Sequence, residues 1–202
     1  MAHQIILKDS VFDDLRDICL GVYDAGEMLT VEELLEKMMD HPEVPIHYPY
    51  HHFIMPAALL TLAAMEQEES REALAEMLEM ARTRSLQVPG GFCGNFGACG
   101  AGVGAGIFMS IWTQTTPVSG KTWQWCNELT GRCLQRIASV EGPRCCKRTS
   151  YLSVSESVPY INEKLDLHLQ NSSRVTCKYY EKNKECRHGE CPYYPVQGTH
   201  AG

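Results

Sequence analysis

Apolar residues recur every three or four positions along most of the chain, which is the period of an amphipathic α-helix. Ser10 is the predicted N-cap of the first helix. Thr30 and Glu33 have the spacing of a capping box, so a second helix is predicted from there through about Met39. No alternating pattern indicates a strand, apart from a possible short piece at 174–179. The pattern therefore predicts a mainly α fold.

The most apolar helix is predicted from residue 53 to about 65, and we expect it to be central. Pro56 is expected within its first turn, where a missing N–H costs little. Further helices are predicted at 68–84, 100–110, 119–140 and 150–165. The predicted architecture is a bundle of six or seven helices around 53–65 and 100–110.

Half of the sixteen glycines fall between Gly90 and Gly106, with Cys93 and Cys99 among them. Ordering so many glycines is costly in backbone entropy, so something is expected to approach this backbone closely. The candidates are a ligand, a metal or cluster held by the cysteines, or a neighbouring helix. A dinucleotide loop is disfavoured, because no strand precedes the glycines and no acidic residue follows at the expected distance. The residues expected against a bound group are Gly94, Asn95, Gly97 and Gly100.

A second candidate motif places two adjacent thiols, Cys145 and Cys146, among three cations, Arg144, Lys147 and Arg148. Nearby positive charge is predicted to lower the thiol pKa and to favour thiolate, which binds metals and attacks electrophiles. The cations also suit an anionic substrate. Adjacent side chains do not easily point the same way, so one thiol is predicted to face a shared site and its neighbour to pack in the core.

The third motif is the irregular tail, where Cys177, Cys186 and Cys191 follow one another with spacings of x8 and x4. This segment has too few apolar residues to fold by itself, and a bound metal is expected to order it. The predicted organisation is a helical domain over 1–170 and a metal- or cluster-binding tail over 171–202 packed on it. The tail cysteines and one of the adjacent pair are the predicted ligands, and Cys93 and Cys99 are expected at the same site.

The remaining cysteines, Cys19, Cys126 and Cys133, lie on apolar helix faces and are predicted to pack in the core. His51 and His52 stand at the start of the central helix. The positive end of the helix dipole there favours neutral imidazole, which is a competent ligand or base. The alternative is that both histidines only cap and pack. His52 is carried forward as a candidate catalytic residue beside Cys93 and Cys99.

Composition and charge narrow the cellular compartment and the classes of function that are expected. No apolar run is long enough to span a bilayer and the first residues have no signal-peptide pattern, so we expect a cytoplasmic protein without a membrane partner. Ten cysteines in a reducing compartment indicate metal, cluster or redox chemistry rather than disulfides. The net charge is −7, although basic residues exceed acidic ones after position 143, and no basic footprint indicates nucleic-acid binding.

Several blocks together resemble an uncharacterised domain family of anaerobic bacteria and methanogenic archaea, over about residues 45–195. They are GGFCGNFGACGAGVGAGIF, the set Thr116, Pro117, Trp123, Asn127 and Thr130, GPRCCKRTSYL, and the terminal C-x8-C-x4-CPYY. Members of that family are sometimes attached to methyltransferase-like or radical-SAM domains. The resemblance implies an anaerobic setting, a cysteine-based site, and a methyltransferase or radical-SAM enzyme as a partner.

The leading functional hypothesis is an iron–sulfur protein that acts in redox or in sulfur or one-carbon transfer, which inclines the interpretation towards an enzyme. Its [4Fe–4S] cluster would be held by the tail cysteines with Cys145 or Cys146, and its substrate would be a small or sulfur-carrying molecule. One alternative is a zinc-stabilised binding module without chemistry, because four thiolates suit Zn²⁺ equally well. Another is a metal-free thiol oxidoreductase that uses Cys93 and Cys99.

Overall fold

The computed structural model describes residues 6–195, and it confirms the mainly α prediction. Within these residues the chain forms eight α-helices, two short 3₁₀ helices and no strand. The α-helices are α1 (Asp9–Ala25), α2 (Val31–Met39), α3 (Tyr50–Glu66), α4 (Arg71–Leu86), α5 (Phe92–Asn95), α6 (Gly100–Trp112), α7 (Lys121–Ala138) and α8 (Cys146–Leu165). The 3₁₀ helices, Tyr180–Lys182 and His188–Glu190, lie in the tail.

Of the two helix N-caps predicted from the sequence, one is confirmed and the other is wrong. The Thr30 hydroxyl accepts the Glu33 N–H at 3.3 Å, and the Glu33 carboxylate accepts the Thr30 N–H at 2.7 Å, so the predicted capping box is confirmed. The prediction that Ser10 caps the first helix is wrong, because α1 already begins at Asp9 after an extended Lys8. Lys8 supplies no side-chain hydrogen bond to the helix end.

Helix α3 is central, as its composition predicts, and nearly all of its residues are buried. It begins at Tyr50, three residues before the predicted start. Pro56 therefore lies in the helix interior rather than in the first turn, which corrects that expectation. The ring of Pro56 also faces α6 (Cδ lies within 3.0 Å of where a Gly104 Cβ would stand), so the proline contributes to a close helix contact.

Glycine helix α6 packs directly against α3 and α7, and α4 and α8 contact it as well. A Cβ at Gly104 would lie 3.0 Å from Met55 Cβ and 3.1 Å from the His52 carbonyl oxygen. A Cβ at Gly106 would lie 2.1 Å from Thr130 Oγ1 on α7. Neighbouring helices thus explain these two glycines, which was one of the three explanations left open by the sequence.

Helix α8 begins at Cys146, four residues before the predicted start, so Cys146, Lys147 and Arg148 lie in its first turn. Cys145 is the N-cap residue, and its sulfur accepts the Arg148 N–H at 3.5 Å. A strand piece over 174–179 is not formed, and that expectation is wrong. The Cys177 N–H does donate to the Tyr193 carbonyl at 2.7 Å, but residues 6–195 contain no strand.

The described part of the tail, up to residue 195, is held against α2 and α8 by polar and aromatic contacts. The Tyr179 hydroxyl donates to Asp40 at 2.9 Å, and the Ser172 N–H donates to Glu32 at 2.9 Å. Tyr193 meets Tyr151 of α8 edge to face, with ring centroids 5.2 Å apart. The described part of the predicted tail, residues 171–195, thus packs on the helices. The last seven residues of the tail lie outside the described range.

None of the helices described is both long and apolar enough to cross a membrane.

The α3–α6 contact yields a stability prediction. Gly104→Ala should lower the free energy of unfolding by about 1–3 kcal/mol, because Met55 Cβ, Pro56 and the His52 carbonyl cannot rotate away from the new methyl group. Gly131→Ala on α7 is the matched control, since nothing lies within 4 Å of its Cβ position. That control should be neutral or slightly stabilising. Urea unfolding of both variants checks the prediction, and equal midpoints would contradict it.

Candidate functional site

Twelve of the predicted site residues line two adjoining spaces on either side of Cys145 and Arg148. We call them the tail cavity and the open pocket, and both of these residues line both spaces. The tail cavity brings together Cys145, Cys177, Cys186 and Cys191. The open pocket brings together His52, Cys93, Gly94, Cys99, Gly100 and Cys146, with Arg144 also on its wall. The adjacent cysteines are therefore divided, and Cys146 lines only the open pocket.

The tail cavity is small and largely aromatic. Its remaining lining residues are Arg148, Tyr151, Tyr179, Tyr180, Asn183, Arg187, Tyr193 and Tyr194. A water-sized sphere fits inside it, and the centre of that sphere can move within about 20 Å³. The cavity between the four thiols and the tyrosine rings is therefore little larger than a water molecule.

Backbone N–H groups point at three of the four sulfurs in the tail cavity. The Tyr179 N–H donates to Cys177 Sγ at 3.4 Å, and the His188 N–H donates to Cys186 Sγ at 3.3 Å. Cys145 Sγ accepts the Arg148 N–H, and the Asn183 side-chain amide donates to it at 3.6 Å. Donors aimed at sulfur stabilise the thiolate relative to the thiol.

Burial nevertheless dominates the acidity of Cys145 and Cys177. It raises the pKa of Cys177 to about 11, and it raises the pKa of Cys145 against the opposing N–H and charge of Arg148. In the open pocket, burial raises the pKa of Cys146 to about 12. The expectation that the flanking cations lower the pKa of Cys145 and Cys146 is therefore wrong, because desolvation of the thiolate outweighs them.

The three cations of the motif lie in different places. Arg144 is about half exposed and lines the open pocket. Arg148 is buried and donates through Nη2 to the Pro143 carbonyl at 2.7 Å, while its Nε has no hydrogen-bond partner. Lys147 is fully buried away from both spaces, donates to the Met39 carbonyl at 3.3 Å and lies over the Tyr179 ring. Burial lowers the Lys147 pKa to about 8.

The open pocket has a volume of about 300 Å³ and contains two histidines whose orientations are fixed in the same way. His51 Nδ1 lies 2.9 Å from the Tyr48 carbonyl oxygen, and His52 Nδ1 lies 3.0 Å from the Val88 carbonyl oxygen. A carbonyl only accepts, so each Nδ1 carries the proton and each Nε2 keeps a free lone pair. Burial lowers both pKa values, in agreement with the neutral imidazole expected from the sequence.

Gly100 makes room for one of these rings. A Cβ there would lie 1.9 Å from His52 Cδ2 and 2.4 Å from His52 Nε2. The next residue towards the N-terminus, Cys99, is the N-cap residue of α6. Burial raises the pKa of Cys99, and hydrogen bonds from the Thr149 hydroxyl and the Ala101 N–H partly offset this.

Two residues that were predicted to lie against a bound group are outside both spaces. Asn95 and Gly97 are exposed, and neither lines the tail cavity or the open pocket. Gly97 has φ of +70° and Gly91 has φ of +79°, so both glycines adopt the left-handed region on either side of α5. Their role in the structure is to turn the chain around the helix that carries Cys93.

The remaining cysteines behave as packing residues. Cys19 and Cys133 are fully buried, and Cys126 is half-buried against the core. All ten cysteines lie in the described part of the chain, and none of them forms a disulfide. Within residues 6–195, no three His, Cys, Asp or Glu side chains are arranged to hold a single metal ion.

Sequence reasoning missed three polar residues at the site. His51 was weighed only with its neighbour, yet it lines the open pocket and its buried Nε2 has no partner. Asn183 and Arg187 line the tail cavity, and Arg187 Nε is also buried without a partner. Asn183 and Arg187 stand between the tail cysteines in the sequence, and that position is the signal that could have identified them.

Comparison with known proteins gives one match. A model described as a family of unknown function (DUF5714) matches residues 23–194, which include both spaces and every residue of the candidate site. No curated protein and no solved structure matches the chain.

The Gly100 contact predicts a local effect. Gly100→Ala should displace the His52 ring from the Val88 carbonyl, because the new methyl group would occupy the position of Cδ2. In ¹⁵N-edited NMR, the His52 Nδ1–H signal should shift or be lost to solvent exchange. The His51 Nδ1–H signal is the internal control, since the Tyr48 carbonyl is not involved. Unchanged signals from both rings would contradict the prediction.

Proposed function

The chain belongs to this family of unknown function, and we propose from its own residues that it is an iron–sulfur protein. The [4Fe–4S] cluster is bound by Cys145, Cys177, Cys186 and Cys191 in the tail cavity. When bound, such a cluster supplies one-electron transfer, with a potential set by its surroundings. The protein would act in redox or in sulfur or one-carbon transfer, with a small or sulfur-carrying substrate in the open pocket.

The observation that carries the proposal is the meeting of four thiols, one from α8 and three from the tail, in one small cavity. Cys145 comes from the start of α8, whereas the other three come from a tail that forms only short 3₁₀ helices. Half-buried thiols that form no disulfide offer little to an irregular segment except ligation. A bound group that crosslinks them would attach the three tail cysteines to Cys145 of the helical bundle.

The size of the tail cavity favours a cluster over a single zinc ion. Zinc–sulfur bonds are about 2.3 Å long, so four sulfurs drawn around one zinc leave no room for a water-sized sphere between them. The tail cavity does admit such a sphere, and within residues 6–195 no thiols are gathered at single-ion spacing. A bulkier group held by four cysteines is what these two facts support.

Charge and hydrogen bonding suit the same group. Four thiolates around a cluster leave a net negative charge that is costly to bury unless donors and cations surround it. The backbone donors to Cys177, Cys186 and Cys145 meet part of this requirement. Arg148 and Arg187 line the same cavity with buried, unpartnered Nε atoms that can donate to cluster sulfur.

The adjoining open pocket gives the proposal its functional content. Cys145 and Arg148 line both spaces, so a cluster ligand would lie on the wall of a pocket of about 300 Å³. Arg144 at that pocket suits an anionic substrate. We also propose that the reaction takes place under anaerobic conditions, with a methyltransferase or radical-SAM enzyme as the partner.

Metal analysis of protein purified without oxygen tests the proposal. We expect brown protein with a band at about 400 nm and about four iron and four sulfide per chain. Cys186→Ser should lose most of the iron and leave residues 171–195 more sensitive to protease, because the tail would lose an attachment. Cys126→Ser is the matched control, since Cys126 is half-buried outside both spaces.

Two results would contradict the proposal. Colourless protein with one zinc per chain would instead indicate the zinc-stabilised module. Equal iron content in Cys186→Ser and Cys126→Ser would show that the tail cysteines are not ligands.

A further inference from the structure

Three helices have their first turns on the wall of the open pocket. His51 and His52 of α3, Gly100 and Ala101 of α6, and Cys146 of α8 all line it. The first N–H groups of a helix have no acceptor within the helix, and this end of the helix carries partial positive charge. The shortest of the three helices, α6, has 13 residues. Backbone dipoles from three helices therefore make the potential in the pocket more positive.

Helix α7 ends at the same pocket, and its carbonyl end is partly capped. Ile137 and Ala138, the last two residues of α7, line the pocket. The Ile137 carbonyl accepts the Val140 N–H at 3.3 Å, and the Arg136 carbonyl accepts the Ser139 N–H at 3.2 Å. One partly capped negative helix end thus faces three positive ones.

A buried guanidinium adds a full charge to this wall. Arg148 lines the pocket and is 5% exposed. Among residues 6–195, ion pairs form at Arg144 and Arg187 but not at Arg148. A buried charge without a counter-charge is costly. Its Nη2 donates to two backbone carbonyls, which leaves three of the five guanidinium N–H donors for the two spaces that Arg148 lines.

No acidic side chain opposes an anion in this pocket. None of the described residues that line it is Asp or Glu, although the chain has a net charge of −7. Burial raises the pKa of Cys146 to about 12 and also raises the pKa of Cys99, so both thiols are uncharged at neutral pH. Glu185 lies 3.8 Å from Arg144 Nε, but Glu185 does not line the pocket.

We propose that the open pocket binds a small organic acid, whose oxyanion is held by Arg144, Arg148 and the first N–H groups of α6 and α8. The pocket volume of about 300 Å³ leaves room for an uncharged body beside the oxyanion. Ala101, Ile137 and Val140 provide apolar wall for that body. The inference rests on the proposed function for the claim that the acid is a substrate, whereas binding of the acid requires no cluster.

Saturation-transfer NMR of the anaerobically purified protein tests the inference with three probes of similar length. Butyl phosphate and butyrate carry a phosphate and a carboxylate, and butyramide is the uncharged counterpart of butyrate. At least one anion should bind, whereas butyramide should give no signal at the same concentration. The affinity for the anion should fall as salt rises, because salt screens charge interactions. The anion that binds more tightly identifies the oxyanion.

Variants and thiol labelling locate the bound anion. Arg144→Gln should weaken binding about two- to fivefold, since Arg144 is about half exposed. Arg148→Gln should weaken it about tenfold or more. Arg174→Gln is the matched control, because Arg174 is exposed and lines neither space. If Arg148→Gln does not fold, alkylation of Cys93 in the parent protein by iodoacetamide decides. The anion should slow this alkylation and butyramide should not, because Cys93 is half-exposed on the pocket wall.

The outcomes separate this inference from the cluster proposal. Anion binding that Arg144→Gln weakens in colourless protein without iron would support the inference and contradict the cluster. In brown, iron-containing protein, three results would each overturn the inference and leave the cluster proposal standing. They are equal binding of butyramide and both anions, binding of none of the three probes, and an anion that neither Arg144→Gln weakens nor Cys93 labelling detects.

Discussion

The close contact of glycine helix α6 with its neighbours is the constraint on which the site depends. Gly104 lets α6 lie against the backbone of α3, and Gly106 lets it lie against Thr130 of α7. At the start of the same helix, Gly100 leaves the space that the His52 ring occupies. One run of small residues therefore both assembles the core and sets Cys99 and His52 on the same pocket wall.

Helix α8 extends this arrangement by dividing the two adjacent cysteines. Cys145 precedes the helix in extended conformation, whereas Cys146 is its first residue, so the two sulfurs leave the chain in different directions. Cys145 joins the tail thiols and Cys146 joins Cys93 and Cys99, with Arg148 between the two groups. The proposed cluster would then adjoin the open pocket, which is the geometry expected of a redox group beside a substrate site.

The sequence predicted the helices and their order well, because periodicity and the Thr30 capping box are local signals. It placed the starts of α3 and α8 several residues late, since Tyr50 and Cys146 are not residues that mark a helix start. The prediction that the thiol pKa values of Cys145 and Cys146 are lowered failed for a different reason. Charges next to Cys145 are visible in sequence, but the burial that raises its pKa depends on tertiary packing. His51 was missed as a pocket residue because the Tyr48 carbonyl fixes its ring and tertiary packing buries its unpartnered Nε2, and neither is visible in the sequence.

Anomalous diffraction from crystals grown without oxygen tests the central claim most directly, because it reports both the element and its position. Data collected on either side of the iron absorption edge should give a strong peak between Cys145, Cys177, Cys186 and Cys191, in the tail cavity. The account predicts that this peak appears above the iron edge and is absent below it. A peak there only above the zinc edge, or an iron peak remote from these four sulfurs, would contradict it.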